Sequence, residues 1–132
     1  MKVPTLIQLR AFIKKNRISG DWTYWSRIGS GTEIENYFSG NCAYASSALA
    51  RMLKFPRYTI TRGWYTRAEG IRKTDYTWIR NSEGHIAHSW LEYEGTIIDA
   101  TWWQFHPGRE ARIYVFAPTN SEYYHYHTKD PR

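Results

Sequence analysis

The chain has 132 residues, a formal net charge of +6 and a single cysteine, with 7 Trp, 11 Tyr and 5 Phe. That length fits one domain, and one cysteine excludes an internal disulfide framework and a multi-cysteine zinc site. No apolar run approaches the roughly 18 residues of a membrane span, and Met1 to Thr5 lacks the apolar stretch of a secretory signal, so the expectation is a cytoplasmic chain with no membrane contact.

Thr5 to Lys15 places Leu6, Leu9 and Ile13 at spacings of three and four behind Pro4. This predicts a short amphipathic helix ending near Ser19-Gly20. Residues 20–40 mix glycine, serine and aromatics without a period and read as irregular, with a turn of helix at Ile34–Phe38. Cys42 to Lys54 is the best helix signal: rich in Ala and Leu, free of Gly and Pro, with Cys42, Ala45, Leu49 and Met52 or Leu53 on one face. Asn41 is the expected N-cap and Pro56 the stop.

Strands are expected at Arg57–Tyr65, Tyr76–Arg80, His88–Tyr93, Thr96–Thr101 and Arg112–Ala117. Asn81 to Gly84 reads as a turn and Glu94-Gly95 as a hairpin loop. The tail, 118–132, is expected to be flexible. Helices first and neighbouring strands after predict an α+β fold with an antiparallel sheet.

A thiol at the start of a helix feels the positive end of the helix dipole, which favours the thiolate. A free cysteine is also a common core residue. The hairpin adds partners. With a two-residue Glu94-Gly95 loop, Tyr93 faces Thr96, Trp90 faces Asp99 and His88 faces Thr101. His88 and Asp99 are then diagonal neighbours on one face, close enough for an Asp–His pair. A four-residue loop keeps this register, whereas a three-residue loop puts them on opposite faces. Cys42, His88 and Asp99 together make a nucleophile, a base and an orienting group.

The stretch from Cys42-Ala43-Tyr44-Ala45 through Leu49, Arg51, Leu53, Phe55-Pro56-Arg57 and Arg62-Gly63-Trp64 resembles the transglutaminase-like superfamily. His88-Ser89-Trp90-Leu91-Glu92 and Ile98-Asp99-Ala100-Thr101-Trp102 look like its His and Asp blocks. Phe55 stands where glycine or isoleucine is usual, and Ser89 replaces a common alanine. The resemblance spans about residues 40–103, and the chain is also similar to the small leader peptidases of lasso-peptide maturation. It implies a papain-like core, a Cys42–His88–Asp99 triad, a peptide or protein substrate and no cofactor. Hydrolysis of a peptide bond is the leading outcome, with transamidation or deamidation through the same thioester as the alternative.

The Cys42 backbone N–H is the first oxyanion donor expected. Papain-like enzymes add a side-chain amide six residues before the cysteine, where Asn36 stands. Transglutaminases use an indole, for which Trp22 and Trp25 are candidates. Trp64, Trp90 and Trp102 are candidates for a peptide groove. His85 with His88, and His125 with His127, lack an acidic partner at a recognised metal-site spacing, so no metal is expected, and His85 is expected to end a turn. Arg57, Arg62, Arg67, Arg72 and Arg80 read as a solvated basic face. With the aromatic residues they also allow a second reading, a non-enzymatic module that binds nucleic acid or protein.

Overall fold

A computed structural model describes residues 2–22, 31–67, 85–106 and 108–131. Helix α1 covers Leu6–Lys15, and Thr5 caps it reciprocally with Gln8. The Thr5 hydroxyl accepts from the Gln8 N–H at 3.1 Å while the Gln8 side chain accepts from the Thr5 N–H at 2.9 Å, a capping box. The helix stops at Asn16, short of the expected end at Ser19-Gly20, because the Asn16 amide turns back onto the Phe12 carbonyl. Leu6, Leu9 and Ile13 are its buried stripe, as their spacing requires.

Helix α2, Glu33–Phe38, occupies the expected helical turn and starts one residue earlier, where the Thr32 hydroxyl accepts from the Glu35 N–H. Helix α3 runs Cys42–Leu53 and ends at Lys54 in the left-handed conformation. It buries Ala45, Ser46, Ala48, Leu49 and Ala50, and the small residues let it lie close to the sheet. Each fully buried leucine-sized side chain on this face contributes about 1.5–3 kcal/mol. Asn41 stands at the N-cap position but makes no capping bond; its amide donates instead to the Tyr37 carbonyl at 3.0 Å.

Among the described residues five strands follow: β1 Ile60–Thr66, β2 His85–Tyr93, β3 Thr96–Asp99, β4 Tyr114–Phe116 and β5 Tyr126–His127. They form one antiparallel sheet in the order β4-β3-β2-β1-β5, which with the helices makes an α+β fold. Helix α3 packs on β2 and β1, and α1 packs on α3. The expected strand from Arg57 opens as a 3-10 turn over Arg57–Thr59 before β1 begins. β2 starts three residues earlier than expected: His85 is not a turn end but pairs with Thr66. β3 ends at Asp99, and Trp102–Phe105 form a 3-10 turn. The strand expected at Tyr76–Arg80 and the turn at Asn81 to Gly84 lie outside the described residues.

The hairpin between β2 and β3 has the two-residue loop. Tyr93 pairs with Thr96, and both Glu94 (φ 51°) and Gly95 (φ 73°) are left-handed. Positive φ at both central residues suits the right-handed twist of the flanking strands, and glycine supplies it without strain. The tail corrects the expectation of a flexible end. Ser121–His125 form a 3-10 turn, and β5 pairs Trp64 with His127 and Tyr65 with Tyr126. Gly63 makes this approach possible, because a Cβ there would run into the His127 carbonyl.

Candidate active site

Three elements converge on a cavity of about 360 Å³. The first turn of α3 brings Cys42 and Ala43, β1 brings Arg62, Gly63 and Trp64, and β2 brings Ala87, His88 and Ser89; Thr128 closes the rim beyond β5. Cys42 is half-buried at the start of its helix. His88 pairs across the sheet with Gly63.

His88 and Asp99 are both buried, at 3% and 0% exposure. The His88 Nε2 donates to Asp99 Oδ2 at 2.7 Å. The hairpin register therefore delivers the diagonal pair that a two-residue loop requires. Three further donors hold the carboxylate. The Tyr126 hydroxyl donates to Oδ2 at 2.7 Å, the Thr101 N–H donates to Oδ1 at 2.9 Å, and the Thr101 hydroxyl reaches Oδ1 at 3.5 Å. Both oxygens of the buried carboxylate are thus supplied with donors, as a buried polar group requires.

The remaining ring nitrogen, Nδ1, is buried and has no hydrogen-bond partner among the described residues. Besides Asp99, the Cys42 side chain is the neighbour that acts on the imidazole. Such contacts are often loose in unliganded sites and tighten with substrate. Tyr65, Trp90, Phe105 and Tyr126 ring the imidazole, with Phe105 edge-on at 5.0 Å between centroids. Their burial of the ring opposes its charge, but the Asp99 charge and hydrogen bond and the Cys42 side chain outweigh it, and the His88 pKa is pushed up to about 10. Burial likewise pushes the Cys42 thiol up, yet the neighbouring His88 side chain with its charge and the Ser89 backbone N–H bring it below its ordinary 9.0. The two shifts favour the same state, a thiolate beside an imidazolium, and the pair titrates as a unit.

The other candidates sort differently. Trp64 lines the cavity. Trp90 and Trp102 do not: Trp90 is fully buried in the core, and Trp102 donates from its indole to Tyr65 and Glu122. Asn36 sits on α2 with its amide donating to the Gly31 carbonyl at 3.2 Å, away from the cavity lining. Trp22 stacks on Tyr37 and donates to the Ile18 carbonyl. Neither side chain is thus aimed at the thiol, and Trp25 lies outside the described residues. The Cys42 N–H, at the first position of α3, has no acceptor within its own helix. Of the arginines, Arg67 is buried rather than on a solvated face, Arg57 and Arg62 are exposed, and Arg72 and Arg80 lie outside the described residues. Buried Arg67, Trp90 and Trp102 offer neither charge nor stacking surface to a nucleic acid.

Two positioning residues escaped the sequence reading. Tyr126 steadies Asp99 from the tail. Gln104 accepts from the Gly40 N–H at 2.9 Å and so fixes the approach to Cys42. Nothing local marks either one, since their partners stand 27 and 64 residues away.

Among the described residues, no group of three or more His, Cys, Asp or Glu is placed to hold a metal ion. Among the same residues no helix is long and apolar enough to cross a membrane. Comparison with protein-family models, curated proteins and solved structures finds no match to this chain.

Proposed function

We propose that this protein is a cysteine-dependent hydrolase of amide bonds, acting on a peptide or protein through a thioester, with a papain-like arrangement of helix and sheet. The observation that carries the reading is the buried His88–Asp99 pair at 2.7 Å beside a half-buried thiol of lowered pKa.

The Cys42 sulfur attacks the scissile carbonyl, and the Cys42 N–H donates to the oxyanion that forms. The imidazolium of His88 delivers its Nδ1 proton to the leaving amine, which departs as the C–N bond breaks. Neutral His88 then takes a proton from water as the water oxygen attacks the thioester, and the thiolate returns with the acid product. Asp99 holds the ring so that Nδ1 faces the thiol and stabilises the charge it acquires. An amine in place of water would give transamidation by the same path. No step calls for a metal or an organic cofactor. A lone thiol that must stay reduced suits a reducing compartment.

A panel of fluorogenic peptide amides tests the reading. The wild-type chain is expected to turn over a subset of them, and Cys42→Ala to lower the rate by at least about 1,000-fold, the scale of losing a covalent nucleophile. Equal turnover by the two proteins would refute it.

A further inference from the structure

Among the described residues, the cavity wall carries one charged side chain besides the triad. Arg62 lines the cavity from β1, is exposed, and stands opposite Ser89 in the register, one position from the Gly63–His88 pair. It makes no ion pair or hydrogen bond with the described residues. None of the cavity-lining residues among those described is acidic. Trp64, two residues along the same strand, projects to the same face as Arg62 and also lines the cavity.

An arginine over a cavity whose described lining carries no acid, with its fork unengaged by the described residues, is the group that recognises a carboxylate, by two parallel charge-assisted hydrogen bonds. The register sets Arg62 on the strand face opposite His88, and it is the shared cavity of about 360 Å³, lined by both Arg62 and Cys42, that sets the distance. The recognised carboxylate falls within a residue or so of the carbonyl that Cys42 attacks. We propose that Arg62 is a specificity-determining residue that selects substrates with a carboxylate next to the scissile amide, an inference that rests on the amide-hydrolase reading. That carboxylate comes from an acidic side chain or from a free C-terminus. Trp64 covers the apolar part of the same substrate residue.

The test needs no known substrate. Cys42 of the full chain is alkylated with iodoacetate, which carries a carboxylate, and with neutral iodoacetamide, and the two rate constants are divided. The ratio is expected to fall about 10-fold or more in Arg62→Gln, as a charge-assisted contact is lost, and to recover in part in Arg62→Lys. Arg62 is exposed, so neither variant threatens the fold. An unchanged ratio in Arg62→Gln overturns the proposal.

Peptides that protect Cys42 from iodoacetamide then identify the source of the carboxylate. Arg62-dependent protection by a C-terminally amidated peptide bearing one glutamate assigns a side chain. The same protection by a neutral peptide with a free C-terminus assigns the terminus. Protection by neither, or equal protection by a neutral amidated peptide, also overturns it. Failure of the hydrolase reading looks different: slow alkylation by iodoacetamide that is unaffected by His88→Ala.

Discussion

Asp99→Ala is expected to destabilise the protein by about 3–5 kcal/mol, the cost of breaking a buried charged pair from one side. The carboxylate is wholly buried and accepts from His88, Tyr126 and Thr101. Removing it leaves an imidazole, a phenol and a peptide N–H buried without their acceptor, and each such loss carries a desolvation penalty. Urea denaturation monitored by tryptophan fluorescence reads the effect as a lower midpoint at unchanged slope. Asp99→Asn separates charge from shape. It keeps an oxygen acceptor but drops the charge that raises His88, so the His88 pKa is expected to fall from about 10 back toward 6.5, visible in the imidazole NMR signals. An Asp99→Ala protein within about 1 kcal/mol of wild type would mean that the carboxylate does not organise this core.

Gly63→Ala is expected to strike fold and site together. The added methyl meets the His127 carbonyl, and Trp90 Cη2 stands 2.8 Å from it. The first obstacle is backbone, so no side-chain rotation relieves it. The cost belongs at the upper end of the about 1–3 kcal/mol for overpacking. The least firmly held neighbour is β5, which pairs with β1 at only two positions. Its displacement takes Tyr126 away from Asp99, so the variant should lose Cys42 reactivity even at temperatures where the rest of the chain stays folded. Hydrogen exchange would show loss of protection at Tyr126 and His127 ahead of β2 and β3. A uniform loss across the whole sheet would contradict this order.

Both predictions turn on contacts that differ in how the sequence announces them. The α3 helix was legible because its signals are local: a run without Gly or Pro and an apolar spacing of three and four residues that begins at Cys42. The hairpin was legible because Glu94-Gly95 fixes the register and parity then brings His88 and Asp99 to one face. The α+β class follows from those two units.

The tail was not legible. Its strand is two residues long, too short for alternation to register. What orders it is distant: Glu122 accepts from the Tyr65 hydroxyl at 2.7 Å, and Tyr126 donates to Asp99. Trp90 and Trp102 failed as groove candidates for a related reason. Composition says that tryptophans are abundant, but only the packing decides which are core. Arg62 in β1 and Arg67 just past its end make the same point, since one lines the cavity and the other is buried.

The central claim is that Cys42 and His88 form one titrating pair, and the pH profile of Cys42 alkylation by iodoacetamide tests it most directly. Only the thiolate reacts, so the rate follows the deprotonated fraction. A cation beside the thiol lowers its pKa, and removing that cation leaves burial to raise it. The profile of the wild-type protein is therefore predicted to rise with a midpoint below 9.0, and that of His88→Ala to rise at higher pH. Each unit between the midpoints lowers the variant's rate at neutral pH about ten-fold. Coincident profiles for the two proteins would contradict the account.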